Sequence, residues 1–157
     1  MSTKHHNIIR PDGTEFTGKV VKCKTADQTV NNSETLVNDD TIFFPLLNGE
    51  QWQFLIVLYG SIGTNTPDID LRLAATDSLT GTIKYEERSG GTNRTYSDDF
   101  TTEMHVPVSA TPRSVIIDGT VTATANGTLQ LQWAQNAATV ENTLVMSHSY
   151  LRAERVS

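Results

Sequence analysis

Apolar and polar residues alternate along most of this chain with a period of two, which is typical of β-strands that bury one face. The clearest case is near the end, where Leu129, Leu131 and Trp133 alternate with polar or small residues. No segment sustains the 3.6-residue period of a helix. The pattern predicts ten strands: Thr17–Lys24, Gln28–Thr35, Thr41–Leu47, Gln51–Ser61, Asp68–Ala75, Gly81–Glu87, Phe100–Val108, Arg113–Ala125, Thr128–Gln135 and Asn142–Arg155.

Nine or ten strands without a helix indicate an all-β fold, either an antiparallel β-sandwich or a jelly roll. Residues 1–15 are mostly polar and contain the turn signal Pro11-Asp12-Gly13, so we expect a short N-terminal arm there. Residues 16–157 then form one β-sandwich domain, and 157 residues is a usual length for a single core.

Two Asn-Gly pairs predict how strands pair. Asn48-Gly49 lies between the third and fourth predicted strands, and Asn126-Gly127 lies between the eighth and ninth. Asn-Gly is the dipeptide that two-residue type I′ hairpins prefer, so each pair is predicted to close a hairpin. The fourth strand, Gln51–Ser61, has apolar residues on both faces, which predicts a central strand covered on both sides by its own chain or by a partner.

Residues 86–99 contain Gly90-Gly91, mixed charges and one large ring, so they are predicted to form a long exposed loop. Loops of this kind often carry binding specificity. Tyr85, Arg94 and Tyr96 are therefore candidate ligand contacts, for example for stacking on a sugar.

The net charge of −6 argues against a nucleic-acid partner, because binding to a phosphate backbone needs a basic patch. Lys19, Lys22 and Lys24 alternate as the solvent-facing side of an edge strand would. The longest apolar run, Phe54–Tyr59, is far shorter than the roughly 20 residues that cross a bilayer, so no membrane partner is expected. Apolar residues make up 37%, a low fraction that suggests burial against other subunits, with a small polar monomer as the alternative.

Candidate catalytic chemistry is weak. Asp68 and Asp70 share one face of a strand, which a hydrolase could use, but this alternation is typical of a solvated strand face. Ser147 and His148 are adjacent and so point to opposite faces of a strand. No ligand set suited to a structural metal stands near His5 and His6. We expect no catalytic, metal-binding or cofactor-binding residues.

Two segments near the C-terminus, Gln132–Asn136 and Ser149–Ala153, form the pattern "LQWAQN…T.V…SYL.A.R". This pattern resembles a signature of bacteriophage and prophage virion proteins. Lys24–Val30, Phe44–Trp52 and Asp118–Thr120 fit the same group. The resemblance implies a non-enzymatic β-sandwich that forms a homotrimer on a virion, either as a capsid decoration (cement) protein or as the tip of a fibre.

The short arm, in place of a long shaft, favours the decoration protein, bound to the phage major capsid protein on the virion surface after synthesis in the host bacterial cytoplasm. The alternative is a receptor- or carbohydrate-binding tip domain. Candidates for the arm's capsid contact are His5, His6, Ile8, Ile9 and Arg10. Candidates for the trimer interface are Gln130, Gln132, Gln135, Tyr150 and Leu151.

Overall fold

A computed structural model describes residues 8–9, 15–16, 18–62, 68–89, 93–107 and 113–156. These residues form fourteen strands and no helix. The strands are β1 (Ile8–Ile9), β2 (Glu15–Phe16), β3 (Lys19–Cys23), β4 (Gln28–Asn31), β5 (Val37–Leu46), β6 (Gln51–Ile62), β7 (Ile69–Thr76), β8 (Gly81–Ser89), β9 (Asn93–Ser97), β10 (Met104–Val106), β11 (Arg113–Ala123), β12 (Gly127–Gln135), β13 (Asn142–Val145) and β14 (Tyr150–Arg155).

Two antiparallel sheets pack face to face, so the predicted all-β sandwich is confirmed. The smaller sheet has the order β10-β7-β12-β5. The larger sheet has the order β3-β14-β6-β11-β8-β9, and β13 joins it by pairing with both β4 and β6. A separate pair, β1 and β2, lies at the predicted arm and aligns Ile8 with Phe16.

The core lies between the two sheets and is built from alternate residues of their central strands. In the larger sheet, Trp52 and Phe54 of β6 point inward and are buried, while in the smaller sheet Leu131 and Trp133 of β12 do the same. The Trp52 ring packs against Phe44 with ring centroids 5.3 Å apart. Burying an aliphatic or aromatic side chain stabilises the fold by about 1.5–3 kcal/mol, so these strands anchor the sandwich.

Both hairpin predictions are wrong, because each Asn-Gly turn carries the chain from one sheet to the other. Asn48-Gly49 links β5 of the smaller sheet to β6 of the larger, and Asn126-Gly127 links β11 of the larger to β12 of the smaller. Instead of pairing with their neighbours in sequence, β6 and β11 pair with each other over ten residues. Asn48-Gly49 does form a tight turn, in which the Glu50 N–H donates to the Leu47 backbone oxygen at 3.0 Å, but this turn serves a sheet crossing.

Residues 86–99 also differ from the prediction of a long loop. Strand β8 continues to Ser89, and β9 pairs with it from Tyr85 opposite Ser97 to Ser89 opposite Asn93. Long strands with polar, charged side chains lack the apolar alternation that predicts a strand. The predicted final strand is likewise two strands, β13 and β14, separated by a turn in which His148 has a positive φ of 68°.

Strand β6 is central, as predicted, with β11 on one side and β13 and β14 on the other. Its inward face is fully buried. On its outward face Val57 is buried by its neighbours, Leu55 is half-buried and Tyr59 is exposed. The second face is thus only partly covered within one chain.

Candidate functional site

The outward face of the larger sheet carries an apolar strip. Val57 of β6 lies opposite Ile116 of β11 on one side and opposite Tyr150 of β14 on the other, and residues paired across strands point to the same face. Leu55 and Tyr59 continue the same row along β6. Tyr59 is 37% exposed, while the other four are buried or half-buried. We define the apolar strip as Leu55, Val57, Tyr59, Ile116 and Tyr150.

Charged residues flank the apolar strip. Arg152 and Asp118 lie opposite Leu55 on the two neighbouring strands. The Arg152 guanidinium carbon is 5.6 Å from the Tyr150 ring centroid, and Arg88 forms a salt bridge with Asp118. Exposed pairs of this kind contribute only about 0–1 kcal/mol to folding. Their main effect is to give the face a fixed arrangement of both signs of charge.

Two grooves meet at the middle of this face, at Asp118, Gly119 and Thr120. The first, of about 680 Å³, is lined towards the sheet edge by Lys19, Val21, Leu55 and Arg152 among others. Val21 is 70% exposed. The second, of about 570 Å³, is lined on the other side by Lys84, Glu86, Tyr96 and Asp98 among others. The face therefore offers two grooves, and each is lined by both apolar and charged residues.

Three of the predicted trimer-interface residues are not surface residues. Gln130 is buried, and its amide donates to the backbone oxygens of Asp39 at 2.9 Å and Leu131 at 2.8 Å. Gln135 is fully buried, and its side chain accepts from the backbone of Ser33 at 3.1 Å. Leu151 is fully buried in the core. The prediction that these three residues form contact surface is therefore corrected. The two glutamine amides bond within the chain, and the leucine side chain packs in the core.

The remaining two predicted interface residues are half-buried. Gln132 accepts a hydrogen bond from the Arg72 side chain at 3.0 Å on the outer side of the smaller sheet. Tyr150 belongs to the apolar strip on the opposite side of the sandwich. The two residues are thus on different faces, and the terminal strands do not form one continuous contact surface.

Of the predicted ligand contacts, Tyr85 and Tyr96 face opposite sides. Tyr85 is only 3% exposed and its hydroxyl donates to the Thr102 backbone oxygen at 3.5 Å, so its assignment as a ligand contact is corrected. Burial raises the pKa of the Tyr85 hydroxyl. Tyr96 is 69% exposed and borders the second groove. Arg94 lies on β9, paired in register with Arg88.

The predicted arm contacts are only partly described. Ile8 and Ile9 form β1, with Ile9 opposite Glu15. His5, His6 and Arg10 lie outside the described residues. Their predicted role in capsid contact stays a prediction.

Sequence reasoning missed the partner of the paired carboxylates. His105 of β10 lies between them, with Nδ1 3.1 Å from Asp70 Oδ1 and Nε2 2.9 Å from Asp68 Oδ2. The Asn136 amide donates to both Asp70 oxygens, at 3.1 and 3.2 Å. Finding this contact from the sequence would have required predicting that β7 pairs with β10, which sets His105 opposite Asp70. In the part of the chain that the structure describes, no group of three or more His, Cys, Asp or Glu side chains is placed to hold a metal ion. The same residues include no helix with the length and hydropathy of a membrane span.

A second cluster was also missed, and it corrects the interpretation of Lys24 as a solvent-facing residue. The Lys24 side chain is completely buried, and its Nζ lies 3.2 and 3.1 Å from the two carboxylate oxygens of the equally buried Asp39. Nζ also donates to Gln28 Oε1 at 3.2 Å and to Asp40. The hydrogen bond from Lys24 lowers the pKa of the Asp40 carboxyl. The chain turns inward at Lys24, where its backbone N–H donates to Ser149 at 2.8 Å.

The chain was compared with protein-family models, with curated proteins and with solved structures, and none of them matches it.

Proposed function

We propose that this chain is a non-enzymatic structural protein of a bacteriophage virion, which assembles as a homotrimer and decorates the capsid as a cement protein. The C-terminal resemblance at Gln132–Asn136 and Ser149–Ala153 supports the class of protein. The antiparallel sandwich is the fold that this resemblance implies. The single observation that supports trimer formation is the apolar strip, which lies on the outward face of the larger sheet.

The apolar strip suits a contact between copies of this chain. Tyr59 in the strip, and Val21 on β3 across Arg152 from Leu55, leave apolar area in water. Covering such area stabilises a contact by about 25 cal/mol for each Å². Arg152 and Asp118 on either side of Leu55 supply charges of opposite sign that would fix the register of a contact. Closed threefold assemblies are built from heterologous contacts, in which each subunit gives one surface and receives another.

The proposed capsid contact uses the N-terminal arm. Attachment to the major capsid protein, on the virion surface, would follow synthesis in the host cytoplasm and trimer formation. Removing residues 1–12 is expected to weaken capsid binding while the sandwich stays folded, because β3 to β14 hold the core without that segment. Unchanged capsid binding by the truncated protein would rule out the arm as the capsid contact.

The assembly is tested by size-exclusion chromatography with light scattering on the intact chain at micromolar concentration. A trimer is expected, and a monomer would overturn the assembly. Cosedimentation with purified capsids of the phage that encodes the chain then tests the cement role. Saturable, stoichiometric binding is expected.

A second candidate function is a carbohydrate- or receptor-binding tip, and one observation favours it. The exposed ring of Tyr96 borders the second groove, beside Glu86 and Asp98. A ring with polar neighbours can stack on a sugar and hydrogen-bond its hydroxyls. Glycan-array binding that disappears in Tyr96→Ala would support this function. Capsid binding that is unaffected by the same substitution would support the cement role.

A further inference from the structure

The Lys24 cluster brings the amine of Lys24 and the carboxyl group of Asp39 together away from water, beside the partly exposed carboxylate of Asp40. Both side chains of the Lys24–Asp39 pair are fully inaccessible to solvent, and Nζ is 3.1 Å from Asp39 Oδ2. A lysine amine is an effective nucleophile towards carbonyl carbon once it has lost a proton. Nζ is therefore held next to the Cγ carbon of Asp39 for as long as the protein stays folded.

The surroundings of Asp39 would stabilise charge on one of its oxygens. The backbone N–H groups of Thr41 and Ile42 both donate to Oδ1, at 2.9 and 2.8 Å. Two fixed N–H donors on one carboxyl oxygen form the arrangement that stabilises the oxyanion of a tetrahedral intermediate in acyl transfer. Oδ2 has Nζ as its hydrogen-bond partner and is the oxygen that is able to leave.

Asp40 supplies the group that moves protons. Its carboxylate accepts a hydrogen bond from Nζ, and its side chain is 58% exposed, so it also reaches solvent. A carboxylate within hydrogen-bond distance of the amine can take its proton and return it to the leaving oxygen. Gln28 Oε1 accepts another Nζ hydrogen bond at 3.2 Å and helps to orient the amine.

We infer that Lys24 and Asp39 form an intramolecular isopeptide bond in the folded protein. Nζ attacks Cγ of Asp39, the C–N bond forms and the Cγ–Oδ2 bond breaks. Two protons leave the nitrogen through Asp40 and depart with Oδ2 as one water molecule, so the ammonium and carboxylate become an amide and water. No oxidant, reductant or cofactor is consumed.

The bond would join the edges of the two sheets. Lys24 directly follows β3, the edge strand of the larger sheet, while Asp39 is on β5, the edge strand of the smaller one. A covalent link there closes a loop across 15 positions of sequence and would stop the sheets from separating at that edge. This inference concerns the chain alone and is independent of trimer formation and capsid binding.

The first test is the intact mass of the folded, purified full-length protein. The expected mass is lower than the sequence mass by one water molecule. Trypsin digestion then locates the loss, because residues 25–71 contain no Lys or Arg. An acylated Lys24 is not cleaved, so the link yields one peptide, residues 23–72, that is lighter than its linear form by one water. An unlinked chain yields residues 23–24 and 25–72 separately.

Variants test the chemistry. Lys24→Arg keeps a positive charge at the site but is expected to show the full sequence mass, while Lys22→Arg keeps the water loss. Asp40→Asn is expected to show mostly unlinked protein when measured soon after folding, and complete linkage in it would overturn the role of Asp40. A full sequence mass for the wild-type protein would overturn the bond itself. So would a water loss that maps to Asp12-Gly13 or Asp118-Gly119, where a cyclic imide can form.

Discussion

The backbone N–H of Asn48 donates to the side-chain Oδ1 of Asn126 at 2.8 Å, which joins the two turns that carry the chain between sheets. The same end of the sandwich is held by Gly49, whose N–H donates to Ala123 at 2.9 Å, and by Ala123, whose N–H donates to Glu50 at 2.9 Å. These bonds extend the pairing of β6 with β11 into both turns. The two sheet crossings therefore form one connected structure.

Asn126→Ala is expected to destabilise the fold by about 0.5–1.5 kcal/mol, because it removes the acceptor for the Asn48 N–H. Urea unfolding followed by tryptophan fluorescence measures the change. Asn126→Asp keeps an acceptor oxygen at the same position and is the matched control. Equal loss of stability in both variants would mean that the bond between the turns contributes nothing.

Gly119→Ala is expected to be more harmful, because a Cβ there would lie 2.3 Å from the Lys84 backbone oxygen and 2.6 Å from Tyr85 Cβ. Backbone cannot move aside as a flexible side chain can, so we expect a loss of about 1–3 kcal/mol. The adjacent, exposed Thr120 is the control, since Thr120→Ala should change stability by less than about 0.5 kcal/mol. Thermal unfolding of both variants beside the wild type distinguishes the two cases.

The two buried tryptophans should respond differently to the same substitution. Trp52 Nε1 donates to Glu50 Oε2 at 3.0 Å, whereas Trp133 Nε1 has no hydrogen-bond partner within the described residues. Phe at either position removes a similar volume, but only Trp52→Phe takes a donor from a buried carboxylate. We expect Trp52→Phe to cost about 1–2 kcal/mol more than Trp133→Phe. Denaturant midpoints of the two variants give this difference, and a costlier Trp133→Phe would contradict it.

The strand positions were largely predictable from sequence, but the pairing of strands was not. Alternation around Trp52 and Trp133 identified buried faces correctly, because a side-chain period of two is a local property. Asn48-Gly49 defines a tight turn but does not decide whether the next strand joins the same sheet. That choice depends on contacts such as β6 with β11, between segments that are far apart in sequence.

Candidate sites were harder to predict for the same reason. Lys24 and Asp39 carry charges that usually mark surface positions, and only their mutual pairing makes burial possible. Gln130 matched the pattern of a polar face, whereas Gln135 is in phase with the buried Leu131 and Trp133. Both amides bond to backbone groups from distant segments. Tyr96 was predictable as exposed because no alternating apolar residues surround it.

Stability should fall at high pH through Tyr85. Burial raises the pKa of its hydroxyl above the ordinary value of 10.0, so the folded state favours the neutral form more than the unfolded state does. The stability that neutral Tyr85 gives the folded state is fully present below the pKa of the unfolded state, and it is lost as the pH rises through the pKa of the folded state. Urea unfolding at about pH 8 and about pH 11 should show a larger loss for the wild type than for Tyr85→Phe. Equal losses would exclude Tyr85 as the titrating group.

The proposed subunit contact predicts that a charge in the apolar strip separates the trimer without unfolding its subunits. Tyr59→Glu places a carboxylate at the exposed end of the strip, where covering it with another copy would require its desolvation. Val140→Glu is the control, because Val140 is 83% exposed and lies in the connection between β12 and β13. Light scattering should give a lower mass for Tyr59→Glu and an unchanged mass for Val140→Glu, with matching far-UV circular dichroism for both. A Tyr59→Glu protein that keeps the wild-type mass would exclude the strip as the contact, since an interfacial carboxylate without a partner costs several kcal/mol.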